Sequence, residues 1–265
     1  MNYRLGNMIS KGIVGTLGIL YLAFLALDFF GGPVLVSSII KFMSIVLCLI
    51  LTVVRTICYE ATVDRILLNV AFVFTVIADV FLLFTPVYEY GIIAFCIVQL
   101  IYFYRMFSLL RYSLRMENRV HRKRNEKGVL DFFLHLVTRG FLSAVIIVFL
   151  QSQDFVIDIL LMVSVFYIVN FVANLLYLLF LYPKKHYMNG QIRYGLFFIG
   201  MILFFLCDIQ VGLYNLSLYI MSESKILDSL IQAAGVGMWA CYLPGQVAIS
   251  LSDANNSRNN RGSFI

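Results

Sequence analysis

The sequence predicts an all-α protein, a polytopic membrane bundle of about eight transmembrane helices. Of its 265 residues, 62% are hydrophobic and only 13% are charged, whereas soluble domains carry roughly 25% charged side chains. The hydrophobic residues are gathered into runs of about twenty, which is the length that crosses a ~30 Å hydrocarbon core. Both observations exclude an ordinary soluble domain and place the chain in a lipid bilayer.

Eight apolar segments follow one another along the chain, and each is predicted to be one membrane span. They cover residues 13–30, 34–54, 66–84, 91–110, 130–150, 155–182, 194–220 and 229–252. The segments between them are too short for a separate domain, so residues 1–252 are expected to form a single transmembrane helical domain. Residues 253–265 are polar and rich in asparagine, and we expect them to form a disordered tail.

The basic residues predict the orientation of the chain, because lysine and arginine accumulate in cytoplasmic loops. One side of the predicted bundle holds Arg4 and Lys11, the loops over residues 111–127 and 184–193, and the tail with Arg258 and Arg261. The loops on the other side hold Lys225 as their basic residue. With an even number of spans, both termini are therefore expected in the cytoplasm.

The loop between the fourth and fifth predicted spans is strongly basic and has two interpretations. As a binding patch, RYSLRMENRVHRKRNEKG would attract phosphoinositide headgroups or a nucleic acid. As a topology signal, it would lie on the anionic inner leaflet, as such loops commonly do. The sequence favours the second interpretation, so we expect membrane lipids and no nucleic acid as partners.

Two carboxylates, Asp79 and Asp208, lie within apolar spans, where an ionisable side chain is costly and is by default a candidate for function. At 1.5 Å per helical residue, each lies ~20 Å from the cytoplasmic start of its span. Lys41 and Gln99 enter from the opposite side, to depths of ~10 and ~12 Å. All four side chains therefore fall in one layer of the bilayer, which predicts a shared polar cavity.

Other polar and aromatic side chains extend this layer, and each also has a structural interpretation. Tyr102 lies one turn from Gln99, and the eighth span carries Trp239, Tyr242 and Gln246. The aromatic residues among them are equally suited to packing between helices.

The remaining polar residues of the spans also have structural interpretations. A structural ion pair between Lys41 and Asp79 is an alternative to a site. Arg139 is a possible second cation, while the asparagines are expected to bridge helices; they are Asn69, Asn170 and Asn174. The five cysteines are odd in number and lie mostly within spans, so we expect no disulfide framework and no metal site.

The third and seventh spans also suggest an internal repeat. Each begins with a phenylalanine-rich half and carries one aspartate at the same depth. Because these spans are four apart, the pattern is compatible with a four-plus-four parallel duplication.

Five segments resemble the YhhN-like lysoplasmalogenases, a family of eight-span membrane hydrolases. They are SSIIKFMSIVLCL with Lys41, IADVFLLF with Asp79, EYGIIAFCIVQLIYFY with Gly91, Gln99 and Tyr102, FFLCDIQVGL with Asp208, and WACYLPGQVAISLS with Tyr242 and Gln246. The resemblance runs from about residue 34 to residue 252. The chain departs from the family pattern at Phe42, where the family usually has proline, at Ala78, where it has glycine, and at Gln99, where it has histidine.

The resemblance implies hydrolysis of the vinyl ether bond of a lysoplasmalogen, a lysophospholipid, to a fatty aldehyde and a glycerophospho-headgroup. It assigns catalysis to Asp79 and Asp208 and substrate binding to Lys41, Gln99, Tyr102, Tyr242 and Gln246, with no metal and no cofactor. Gln99 lacks an imidazole, so a role in proton transfer does not carry over to it. The alternative function is a non-enzymatic transporter or lipid-binding protein that uses the same Asp/Asp/Lys site.

Overall fold

A computed structural model describes residues 3–59, 61–117, 127–181, 193–216 and 225–253. Across these ranges the chain forms eight helices and no β-strand, which confirms the predicted all-α fold. The helices are α1 (Tyr3–Phe29), α2 (Val34–Cys58), α3 (Val63–Phe84), α4 (Tyr88–Glu117), α5 (Lys127–Ser152), α6 (Ile159–Leu181), α7 (Tyr194–Leu216) and α8 (Lys225–Ser250).

Seven of these helices, α1 to α7, are long and apolar enough to cross a membrane. The eighth, α8, has 26 residues but is less apolar, because Gln232, Pro244 and Gln246 interrupt its hydrophobic run. Seven such helices in one chain are the pattern of an integral, multi-pass membrane protein.

The helices fall into two compact units. One consists of α1, α2, α7 and α8 (residues 1–61 and 195–252), and the other consists of α3 to α6 with Asp253 (residues 62–194 and from 253). These units do not coincide with the two halves of the predicted four-plus-four repeat. Both that repeat and the single domain over residues 1–252 stay predictions.

In the first unit, α1 and α2 form a helical hairpin around a tight turn. Gly31 has a φ of +67°, a left-handed conformation that closes a helix and that glycine adopts without strain. The main-chain N–H of Gly32 donates back to the carbonyl of Leu27 at 2.7 Å, and Pro33 caps the start of α2. The hairpin therefore brings the last turn of α1 beside the first turns of α2.

In the same unit, α7 and α8 approach through two glycines. A Cβ on Gly200 would lie 2.8 Å from the Gly245 carbonyl oxygen and 2.6 Å from Cγ1 of Ile249. A Cβ on Gly245 would lie 3.1 Å from the Gly200 carbonyl oxygen. Small residues let membrane helices pack backbone to backbone, and here they hold the segment with Gln246 against α7.

In the second unit, α4 contacts α3, α5 and α6, and α3 packs closely on it at Gly91. A Cβ on Gly91 would lie 3.1 Å from the Ala78 carbonyl oxygen, so Asp79 follows directly after a close α3–α4 contact.

The N-terminus of α3 is capped by Thr62, whose hydroxyl accepts a hydrogen bond from the Arg65 N–H.

The beginning of the predicted tail is part of the fold. Asp253 is buried and its Oδ2 lies 2.8 Å from Nε of Arg65, so the chain is held by an ion pair at this residue. Residues 254–265, which make up the rest of the predicted disordered tail, lie outside the described residues.

Candidate functional site

The ion-pair partner of Lys41 is Asp28, in the last turn of α1. Nζ of Lys41 lies 2.8 Å from Oδ2 of Asp28, and the two side chains are 12% and 16% exposed. The other carboxylate oxygen of Asp28 accepts a hydrogen bond from the Ser37 hydroxyl at 2.5 Å. Both oxygens of Asp28 are therefore used in holding the α1–α2 hairpin.

The sequence suggested Asp79 as a possible ion-pair partner of Lys41 and did not point to Asp28, which lies near the end of the first predicted span. The helical hairpin explains the difference. Because α1 extends to Phe29 and α2 begins at Val34, Asp28 and Lys41 lie on neighbouring turns of adjacent helices. The proximity of an acid at the end of one span to a base in the next span was the signal available in the sequence.

Aromatic rings surround the Lys41 ammonium. Nζ lies 5.8 Å from the ring centroid of Phe24 and 5.1 Å from that of Trp239, distances at which a cation is attracted to the π face. Trp239 in turn packs edge-on against Tyr242, with ring centroids 5.0 Å apart. Lys41, Trp239 and Tyr242 thus lie in one cluster.

Gln246 lies one turn beyond Tyr242 on α8 and is fully buried, at 0% exposure. Neither polar atom of its carboxamide has a hydrogen-bond partner among the described residues. A buried amide without partners is costly, and native proteins satisfy such groups with water or a ligand. Both polar atoms of the Gln246 carboxamide therefore have unused hydrogen-bonding capacity within the described part of the chain.

Asp208 is half-buried on α7, in a stretch that packs on α8. Two residues further along α7, the Gln210 side chain packs on α8. Its Oε1 lies where a Cβ on Gly237 would be, and its Nε2 lies 3.4 Å from Sγ of Cys241. Cys207, on the other side of Asp208, is buried. Four of the predicted site residues therefore belong to the α1–α2–α7–α8 unit: Lys41, Asp208, Tyr242 and Gln246.

The other three predicted residues, Asp79, Gln99 and Tyr102, belong to the α3–α6 unit, and all are buried there. Asp79 is 3% exposed, and Gln99 and Tyr102 are 0% exposed. Oε1 of Gln99 accepts a hydrogen bond of 2.9 Å from the Asn174 amide, which also donates to the Gln99 carbonyl oxygen at 2.8 Å. A single cavity that contains all seven predicted site residues stays a prediction.

Arg139 and the asparagines of α6 complete the polar interior of the second unit. Nη1 of Arg139 donates to Oδ1 of Asn170 at 3.3 Å and to Oδ1 of Asn174 at 2.8 Å. Together with the Asn174–Gln99 bonds, these contacts join α4, α5 and α6, which confirms that Asn170 and Asn174 bridge helices. From the sequence, Arg139 was a possible second cation of the Asp/Asp/Lys site. In the structure its described contacts are to amides and to an aromatic ring.

The fold and its buried polar groups define the class of the protein, an integral multi-pass membrane protein with ionisable side chains inside its helices. Comparison with protein-family models, with curated proteins and with solved structures gave no significant match.

Proposed function

We propose that this protein is an intramembrane hydrolase that cleaves the vinyl ether bond of lysoplasmalogen, the activity of the family that its sequence resembles. The observation that supports this most directly is Asp79, a carboxyl group 3% exposed within an apolar helix. A carboxylate in such a position is costly and is commonly retained for chemistry. The resemblance assigns catalysis to this residue and to Asp208.

Vinyl ether hydrolysis suits a pair of carboxyl groups. A neutral carboxylic acid donates its proton to the outer alkene carbon, which leaves an oxocarbenium-like cation on the carbon bonded to oxygen. A second group, ionised, stabilises this cation and accepts a proton from the water that attacks it. The resulting hemiacetal collapses to a fatty aldehyde and the glycerol hydroxyl of the headgroup. Paired carboxylates divide acid and base roles in glycoside hydrolysis in the same way.

The α1–α2–α7–α8 unit offers groups that suit the polar part of a lysophospholipid. The Lys41 ammonium has three N–H donors and its described ion pair is with Asp28, so it retains capacity for a lipid phosphate. The unused carboxamide of Gln246 and the Tyr242 hydroxyl are candidates to bind glycerol hydroxyls or the attacking water. The buried Gln246 carboxamide, which lacks a hydrogen-bond partner among the described residues, supports a polar ligand at this place.

The direct test is to incubate the purified full-length protein with lysoplasmalogen and to measure the aldehyde released. The matched control is the lysophospholipid that carries the same chain in ester linkage, which contains no vinyl ether and would release no aldehyde. Release of aldehyde from the first substrate, and no cleavage of the second, is the expected result. Binding of lysoplasmalogen without any aldehyde would reject the hydrolase.

The second candidate is a lipid-binding or transport protein, and Gln99 is the observation that favours it. Gln99 stands where the family usually has histidine, and its carboxamide oxygen is held by Asn174, so this position has no group that titrates near neutrality. A binder would retain lysoplasmalogen unchanged. A transporter would in addition move it, or an ion, across liposomes that contain the purified protein.

A further inference from the structure

Three buried arginines lie in the described part of the α3–α6 unit, and two of them are paired with carboxylates. Nε of Arg105 lies 2.6 Å from Oδ1 of Asp64, and its Nη2 donates to Oδ2 of the same residue at 3.0 Å. Nε of Arg65 lies 2.8 Å from Oδ2 of Asp253. This is the normal condition of a buried cation, because an unpaired charge in a low-dielectric interior is strongly destabilising.

Arg139 is the exception. Its side chain is 7% exposed, yet within the described ranges its partners are the neutral amides of Asn170 and Asn174 and the ring of Phe103, whose centroid lies 3.9 Å from Cζ. These contacts use Nη1 and one face of the guanidinium, whereas Nε and Nη2 donate no described hydrogen bond. Arg139 also lies 12 residues into α5, or ~18 Å along the helix axis, where lipid cannot solvate it.

Two more hydrogen-bond donors of this unit, on Gln99 and Tyr177, have no described acceptor. Nε2 of Gln99 is buried and has no hydrogen-bond partner in the described part of the chain. Gln99 and Arg139 are bonded to the two ends of the same Asn174 amide, so this donor and the guanidinium belong to one network. The buried hydroxyl of Tyr177, one turn beyond Asn174 on α6, is also without a described partner. A cation with adjacent unused donors is the arrangement that binds an anion.

A cleft of about 480 Å³ has Tyr177 of this network in its lining, a volume within the usual range for ligand pockets. The rest of the lining consists of His135, the apolar residues Phe107, Leu110, Leu134 and Phe180, and the charged residues Arg111 and Asp131. The Phe103 ring packs against both His135 and Tyr177, with centroids 5.9 and 5.7 Å apart, and carries the Arg139 guanidinium on its face. The apolar side chains of the lining therefore suit an acyl chain, and the network to which Tyr177 belongs suits a negative group.

We propose that Arg139, with Gln99 and Tyr177, forms an intramembrane site for an anionic amphiphile whose carboxylate or phosphate supplies the negative charge that the described contacts of Arg139 lack. The acyl chain of this ligand lies in the cleft between α4, α5 and α6. The site does not depend on the proposed hydrolysis, since it recognises charge and needs no vinyl ether.

The experiment measures equilibrium binding of radiolabelled lipids to the full-length protein in detergent. The two anionic probes are palmitate and dioleoylphosphatidate, and their matched neutral controls are hexadecanol and dioleoylglycerol, which carry the same chains without charge. We expect an anionic probe to bind at least about tenfold more tightly than its neutral control, the effect of a hydrogen bond to a charged group. The anionic probe that shows this preference identifies the source of the charge as a fatty acid or a lipid phosphate.

Two variants test the residues. Arg139→Gln removes the cation and should weaken the anionic probe by about tenfold or more, with little effect on the neutral one. Gln99→Glu keeps the acceptor that Asn174 uses but places a carboxylate in the network, so it should also abolish the preference for the anionic probe. Lys11→Gln removes the same charge at an exposed position of α1 and should bind as the unmodified protein does.

The proposal is overturned if charged and neutral probes bind alike, or if the Gln99→Glu variant retains the full preference for the anionic probe. Should Arg139→Gln fail to fold, Gln99→Glu and Arg139→Lys still decide the question. Arg139→Lys keeps the charge but loses the planar set of donors, and we expect it to retain part of the preference. If Arg139→Lys and Gln99→Glu both bind the probes as the unmodified protein does, Arg139 has a purely structural role and the proposal is overturned.

Discussion

The Tyr21 hydroxyl donates a hydrogen bond of 3.0 Å to the main-chain carbonyl of Ala240, the carbonyl that Pro244 leaves without its helical partner. In an α-helix the N–H of residue i bonds the carbonyl of residue i−4, and proline has no N–H to give. Tyr21 on α1 thus satisfies the acceptor exposed within α8. The bond holds α8 at the turn that carries Trp239 and Tyr242.

Tyr21→Phe should destabilise the protein by about 1 to 3 kcal/mol, because it leaves the Ala240 carbonyl without a donor. In a Pro244→Ala background the same change should cost about 1 kcal/mol less, since the substituted alanine supplies the missing N–H. Thermal unfolding of the four proteins in detergent measures this double-mutant cycle. Equal costs in the two backgrounds would show that Tyr21 does not serve the carbonyl left by Pro244.

Gly200→Ala should destabilise the first unit by about 1 to 3 kcal/mol, the usual cost of an overpacked contact. The added Cβ would meet the Gly245 carbonyl and Ile249, so α7 and α8 would have to move apart. Gly212→Ala on the same helix is the matched control, since nothing lies within 4 Å of the Cβ it adds. If Gly212→Ala lowers the unfolding temperature as much as Gly200→Ala does, the close approach of α7 and α8 is not the cause of the destabilisation.

Asp28→Asn and Lys41→Met should each destabilise the α1–α2 hairpin by about 3 kcal/mol, because each leaves a largely buried charge without its partner. Asp28→Asn keeps the oxygen that accepts the Ser37 hydrogen bond and so isolates the loss of the charge. The double variant should cost clearly less than the sum of the two single changes. Unfolding measurements that give additive costs would mean that the ion pair contributes no stability.

Asp79→Asn and Asp208→Asn should each lower aldehyde release by about 10² or more, the scale of a positioned acid or base. Asparagine keeps the shape of the side chain but neither donates a carboxylic proton nor supplies negative charge. The double variant should be little worse than the worse single variant, because groups that act together are not additive. Near-normal turnover by either single variant, measured on folded protein, would contradict the proposed mechanism.

A reporter fused after Ile265 should be cytoplasmic, and one inserted near Glu89 should lie on the opposite side of the membrane. Both expectations follow from the distribution of basic residues and from eight crossings. The C-terminal reporter is the informative one, because α8 is the described helix that does not meet the criterion for a membrane span. If it is found outside while the N-terminus is cytoplasmic, α8 does not cross the bilayer and the chain has seven spans.

The sequence by itself determined the class of fold and the approximate position of each of the eight described helices. Runs of apolar residues of bilayer length are sufficient for this, since a segment in lipid must satisfy its own backbone hydrogen bonds and does so as a helix. Lys41, Asp79 and Asp208 also stood out in the sequence, because a charge within an apolar span is costly whichever helices pack around it.

Only the tertiary structure decided which polar groups are partners. Asp28 pairs with Lys41, Asp253 with Arg65 and Asn174 with both Gln99 and Arg139, over separations of up to 188 residues. Depth along a helix follows from counting residues, but the direction in which a side chain points depends on which helices pack together. That packing depends on close contacts such as Gly200 with Gly245 and Gly91 with Ala78. A span that is apolar along its whole length has no hydrophobic periodicity from which these contacts could be predicted.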